Sequence, residues 1–144
     1  KYLSEQLVKR NSAKWLILRA AGLVGPGLWK NSIYDLLSNA ELRVNPDSKY
    51  QYLNTADFAS IIFSLIDTKI SNDTFNVAGD GIISIREIAE MIPDCRLPKD
   101  TENLPEEHYE ICIDKLKSVC DVPETISTVK TFIKDVLDGR IKTK

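Results

Sequence analysis

Residues 15–27, Trp15-Leu16-Ile17-Leu18-Arg19-Ala20-Ala21-Gly22-Leu23-Val24-Gly25-Pro26-Gly27, decide the fold. Four apolar residues lead into a single charge, Arg19, then two alanines, and the run stops in a glycine-proline turn. A short apolar run closed by turn residues reads as a strand over Trp15–Ala21, covered on both faces. Strands of that kind lie in parallel sheets, whose ligands bind beyond the carboxyl ends of the strands. Arg19–Gly27 is therefore the first place to look for a site.

Working outward, helices flank this strand. Leu3, Leu7 and Val8 share one face of Lys1–Asn11, an amphipathic helix ending near Asn11-Ser12. Ile33, Leu36 and Leu37 mark a second helix within Lys30–Asn39. Lys49–Asn54 is short and tyrosine-rich and reads as one strand. Thr55 can cap a helix over Ala56–Thr68, striped by Phe58, Ile61, Ile62, Leu65 and Ile66. Thr74–Val77 reads as a strand and Gly79-Asp80-Gly81 as a turn. Ser84-Ile85-Arg86-Glu87 has the form of a capping box, opening a helix through Met91.

Pro93–Glu107, with three prolines and many charges, reads as an irregular connection. Tyr109–Ile113 has the character of a short strand, and Asp114 can cap a turn of helix through Val119. Pro123 then opens a last helix carrying Ile126, Val129, Phe132, Ile133, Val136 and Leu137, closed by Gly139. Strands alternating with helices give an α/β class with a parallel sheet. Few strands are strong, so the sheet is thin for its helices.

The bulk numbers narrow the class. The 144 residues suffice for one domain with a real core. A formal net charge of −2 provides no electrostatic footprint for nucleic acid or an anionic membrane. No apolar run approaches membrane-spanning length. Three cysteines, Cys95, Cys112 and Cys120, and one histidine, His108, lack metal-like spacing, so no metal is expected. Reduced thiols in a cytoplasmic protein are the expectation.

Single residues read conservatively. Gly22–Gly27 follows a strand and precedes a helix, but its glycine spacing is wrong for a dinucleotide loop and Pro26 lacks an N–H. It reads better as a turn lining a site built with other segments. Lys1 and Glu5 stand one helical turn apart, a solvated pair. Arg19, near the end of a buried strand, needs a partner, since an unpaired buried guanidinium is costly. Asp57 sits where a carboxylate favours a helix N-terminus and reads as structural. Tyr50 and Tyr52 alternate along one strand and share a face, as core or as pocket wall.

LRAAGLVGPG, then YLNTADFASII, then TFNVAGDGIISIREIAEMI, in that order and spacing, resemble the second half of the extended short-chain dehydrogenase/reductases, the NAD-dependent epimerase/dehydratase family. The tail YEICIDKLKSVCDVPETISTVKTFIKDVL resembles the family's ending. The likeness spans Lys1 to about Leu137 and implies the C-terminal part of a Rossmann-type parallel sheet with the family's substrate-binding segments, residues 1–144 forming a single such unit. Lys1 through Glu5 match the lysine end of the family's Tyr-x-x-x-Lys motif. In that motif the tyrosine is the acid/base, and the lysine lowers its pKa and holds the cofactor ribose. The tyrosine would lie four residues before Lys1. The first residues read as mid-helix with no cap before them, so the expectation is a substrate-side half cut at the active site and not catalytic alone.

By the same resemblance Lys1 is the catalytic candidate and, with Ala20 and Leu23, a cofactor contact. Gly22, Asn31, Tyr50 and Tyr52 are the substrate candidates. NAD or NADP is implied for the complete protein, with none expected bound to this chain alone. Relatives acting on nucleotide sugars commonly carry Asn where Gly22 stands and Arg where Tyr50 stands. A phenol cannot offer the bidentate cation a pyrophosphate needs, and Lys49 beside it points to the other strand face. The expected substrate is a small molecule other than a nucleotide sugar, handled by an epimerase, dehydratase or reductase. The alternative is a non-catalytic cofactor-sensing or protein-interaction relative. Self-association through an exposed sheet edge at Trp15–Ala21 is also expected.

Overall fold

The computed structural model describes all residues, 1–144. Helix α1 (Tyr2–Asn11) leads to strands β1 (Leu16–Ala20) and β2 (Gly22–Val24), then helix α2 (Ser32–Leu37). Strands β3 (Lys49–Tyr50) and β4 (Tyr52–Asn54) follow, then α3 (Thr55–Asp67), β5 (Asp73–Val77), β6 (Ile83–Ser84) and α4 (Ile85–Glu90). A 3-10 turn at Lys99–Asn103, β7 (His108–Tyr109), α5 (Asp114–Lys117) and α6 (Thr125–Leu137) complete the chain.

The α/β class with parallel pairing is present, divided into small sheets. β1 runs parallel to β5, β2 parallel to β4, and β3 lies between β7, parallel, and β6, antiparallel. Two cores result. One gathers Tyr52, Ile85, Ile88, Val129 and Phe132; the other gathers Leu53, Leu65, Phe75, Val77 and Leu116. Tyr52 and Leu53 are neighbours in β4, so the strand's two faces serve the two cores.

Several expectations are corrected. Trp15–Ala21 is not covered on both faces: Leu16–Leu18 are half-buried, and Arg19 and Ala20 are exposed. β1 has β5 as its one paired neighbour, and α1 buries none of its residues. Lys49–Asn54 is two strands, because the chain leaves one sheet at Gln51 and enters another. The cap of α3 is Asn54, whose Oδ1 accepts from the Ala56 N–H; Thr55 is the first helical residue. Asp114 likewise starts α5 from within, after Ile113. Within Tyr109–Ile113, Tyr109 alone joins a ladder, beside His108. The last helix opens at Thr125, two residues after Pro123. The capping box at Ser84 and Glu87 forms as its spacing dictates, and Gly139 takes the positive φ of 71° that ends α6.

Candidate functional site

The carboxyl ends of β1 and β5 meet the Tyr50–Tyr52 segment around a cavity of about 380 Å³. Arg19, Ala20, Ala21 and Gly22 form one wall; Tyr50, Gln51 and Tyr52 form the second. Asn76, Tyr109 and Ile111 close it. Ala20, Gly22, Tyr50 and Tyr52 are thus brought together at the strand ends, where the sequence pointed. Leu23 packs instead against the second core. Asn31 caps α2, its Oδ1 accepting the Tyr34 N–H at 2.9 Å, and does not line the cavity. Lys1 is exposed at the start of α1 and is not among the lining residues.

Tyrosine dominates the cavity. The Tyr50 ring stacks on Tyr109, centroids 5.8 Å apart and planes within 10°. Tyr52 lies 6.3 Å from Tyr50 at a tilt, so the shared face survives the break at Gln51. The Tyr50 hydroxyl donates to Glu107 Oε2 at 2.6 Å. Burial, then this carboxylate, push its pKa up to about 12. Tyr52 is 4% exposed, and burial raises its pKa further. Both remain phenols at neutral pH. Gly22 is required by Tyr52: a Cβ at position 22 would meet Tyr52 Cδ1 at 2.8 Å and the Gln51 carbonyl at 3.0 Å.

A strap of chain, Glu107–Cys112, holds the outer wall. Glu107 receives the Lys49 N–H on its carbonyl and donates its own N–H to Ser48 Oγ. Ile111 N–H donates to Gln51 Oε1 at 2.7 Å, while Gln51 Nε2 donates to the Gly79 carbonyl at 3.1 Å. Asn76 Nδ2 donates to the Cys112 carbonyl. Gln51, Asn76, Tyr109 and Ile111 were missed as site residues: the last three lie in stretches that carry the resemblance, but nothing in their spacing marks them as cavity lining.

Arg19 is the one cation lining the cavity, and it is engaged. Its Nε and Nη2 donate to Glu5 Oε1 and Oε2 at 2.9 and 2.7 Å. The guanidinium holds the Glu5 carboxyl below its ordinary range, and Glu5 in turn raises Arg19. Arg19 is more exposed than a buried strand end implies, 54% at its side chain, and its partner is the glutamate assigned above to Lys1. Gly22–Gly27, expected as one turn, is not: Gly22–Val24 form β2 beside β4, and only the residues after it turn, with few N–H groups left over. Pro26 has no N–H, Gly27 N–H donates to the Lys142 carbonyl, and Leu28 N–H closes back on Gly25. No group of three or more His, Cys, Asp or Glu side chains is placed to hold a metal. No helix is long and apolar enough to cross a membrane.

No protein-family model matches the chain, and no curated protein matches it in sequence. Solved structures do match its fold. A UDP-galactose 4-epimerase aligns with a TM-score of 0.70 at 19% identity, over 95% of this chain and 50% of the epimerase. The dTDP-glucose 4,6-dehydratase of Bacillus anthracis in complex with NAD aligns at 0.69 and 14%, over 95% and 49%. A UDP-glucuronic acid 4-epimerase from Bacillus cereus, with UDP-glucuronic acid and NAD, aligns at 0.66 and 17%, over 94% and 50%. The chain has the fold of the C-terminal half of the NAD-dependent epimerase/dehydratase enzymes. It spans about half the length of the solved structures it matches.

Proposed function

We propose that this chain is the substrate-side half of an NAD(P)-dependent epimerase, dehydratase or reductase whose substrate is not a nucleotide sugar. The engagement of Arg19 by Glu5 carries this reading, because it leaves the cavity without a free cation for a pyrophosphate. Tyr50, a phenol already donating to Glu107, supports it further.

In this reading hydride passes between a carbinol or carbonyl carbon and a nicotinamide, chemistry that the cofactor supplies. Lys1 lowers the pKa of an acid/base tyrosine and holds the cofactor ribose. Ala20, in the cavity wall, flanks the nicotinamide, and Leu23, packed on the second core, backs that wall. Gly22, Tyr50 and Tyr52 shape the substrate pocket, and Asn31, held in the α2 cap, lies outside its lining. NAD or NADP belongs to the complete protein, and this chain alone neither binds it usefully nor catalyses. The loop N–H groups spent within the Gly25–Leu28 turn and on Lys142 support that view. The unpaired edge of β1 and the apolar face of α1 support self-association, with the protein placed in the cytoplasm.

The test is thermal denaturation of the chain with UDP-glucose, dTDP-glucose and NADH. A tight ligand at a hundredfold excess over its Kd adds about 2.7 kcal/mol. No shift is expected with any of the three. A clear upward shift with either sugar nucleotide overturns the substrate reading.

A further inference from the structure

Several of the cavity's polar groups are already paired. Arg19 is bound to Glu5, Tyr50 donates to Glu107, and both ends of the Gln51 amide are engaged. Asn76 donates to Cys112. The Tyr52 hydroxyl has no such bond: its residue is 4% exposed and borders the cavity, yet its hydrogen bonds are made by its backbone alone. It is also not sealed in protein, since the one fully enclosed side-chain polar atom without a partner is Thr128 Oγ1. No protein group takes the hydrogen bond that the Tyr52 hydroxyl can donate, which leaves it free to bond a molecule in the cavity its residue borders.

We infer that the cavity binds a neutral, flat carbonyl compound whose oxygen accepts a hydrogen bond from the Tyr52 hydroxyl. The inference deepens the reading proposed above and rests on it. Apolar lining with one oriented polar group is the usual make-up of a small-molecule pocket. Ala20, Ala21, Gly22 and Ile111 offer no charge, and the Tyr50–Tyr109 stack offers flat surface on which a ring can continue. Burial keeps Tyr52 protonated, so it serves as the donor and the ligand supplies the acceptor. A volume of about 380 Å³ lies within the usual range of small-molecule pockets. A bicyclic aromatic ketone supplies both the flat ring and the single acceptor.

The probes are acetylnaphthalene, a flat neutral ketone, and ethylnaphthalene, which has nearly the same shape without the carbonyl. Each is titrated against the chain while the amide signals of Gly22, Gln51 and Ile111 are followed by NMR. Both probes are expected to move these signals, acetylnaphthalene binding more tightly. Tyr52→Phe removes a hydroxyl without a partner and leaves the fold intact. It should weaken acetylnaphthalene about three- to tenfold, the worth of one hydrogen bond, and leave ethylnaphthalene unchanged. Tyr109→Ala, at an exposed position, should weaken both. Acetylnaphthalene binding the Phe variant as tightly as the parent, or no movement of the three signals, overturns the inference. UDP-glucose run in parallel reports separately on the earlier reading: its binding overturns the exclusion of nucleotide sugars, whereas the Tyr52 comparison depends on the two naphthalenes alone.

Discussion

Arg19, at the end of β1, grips Glu5 of α1 through two parallel hydrogen bonds, Nε to Oε1 at 2.9 Å and Nη2 to Oε2 at 2.7 Å. The contact does two things. It ties down a helix that buries none of its own residues, and it neutralises the single cation at the cavity. The other hold on α1 is Lys9 over the Trp15 ring, at 5.0 Å.

Glu5→Gln should therefore free Arg19. Hydrogen exchange across Tyr2–Asn11 should quicken, and UDP, measured by calorimetry, should gain affinity for the chain. Unchanged exchange and unchanged UDP affinity would contradict the assignment of Arg19 as a spent cation.

Gly22→Ala should cost about 1–3 kcal/mol in urea denaturation, the usual effect of overpacking. The added methyl has the Tyr52 ring on one side and the Gln51 carbonyl on the other. Tyr52→Leu, made in the same protein, should reduce that cost by removing the ring edge. Equal costs in the two backgrounds would show that Tyr52 does not enforce the glycine.

Gln51→Met keeps the bulk and loses both hydrogen bonds. The Gly79 carbonyl and the Ile111 N–H would each lose a partner, at about 1–3 kcal/mol apiece. The strap at Ile111–Cys112 should also exchange its amides faster. A variant as stable as the parent, with the strap still protected, would remove Gln51 from its bridging role.

Acid should destabilise the protein partly through Glu87. Its carboxylate accepts from the Ser84 hydroxyl and N–H at 2.6 and 2.8 Å, and these bonds lower its pKa. The folded state thus binds that proton less tightly than the unfolded chain. The contribution is complete above the ordinary glutamate range and fades as pH falls through the lowered value. Glu87→Gln should lower Tm at neutral pH and show a shallower acid decline. Parallel Tm curves for the two proteins between pH 7 and strong acid, about four units apart, would assign the decline to other carboxylates such as Asp47 and Asp73.

Sedimentation at rising concentration should show the chain associating. Leu3 and Leu7 are 76% and 62% exposed on α1, next to the strand β1 that pairs with β5 alone. Leu3→Glu with Leu7→Glu should return it to monomer. A wild-type monomer at high concentration sinks the idea.

Features written within a few neighbouring residues could be read from the sequence alone. The Ser84–Glu87 box, the αL glycine at 139, the apolar run at Leu16–Leu18 and the paired phases of Tyr50 and Tyr52 all depend on local dihedrals or on strand alternation. So does the place of the site, since a strand running into a glycine turn marks its own carboxyl end. Tertiary structure decided what those local signals leave open. Glu5 could pair with Lys1 one turn away or with Arg19 fourteen residues on, and the meeting of α1 with β1 chose Arg19. Gln51 looks like an ordinary strand residue until Gly79 and Ile111 arrive from distant segments and engage both ends of its side-chain amide. Tyr109 and Glu107 reach Tyr50 across more than fifty residues. Which side chains share a cavity is set by chain segments brought together at the cost of loop-closure entropy, and local pattern carries no record of those partners.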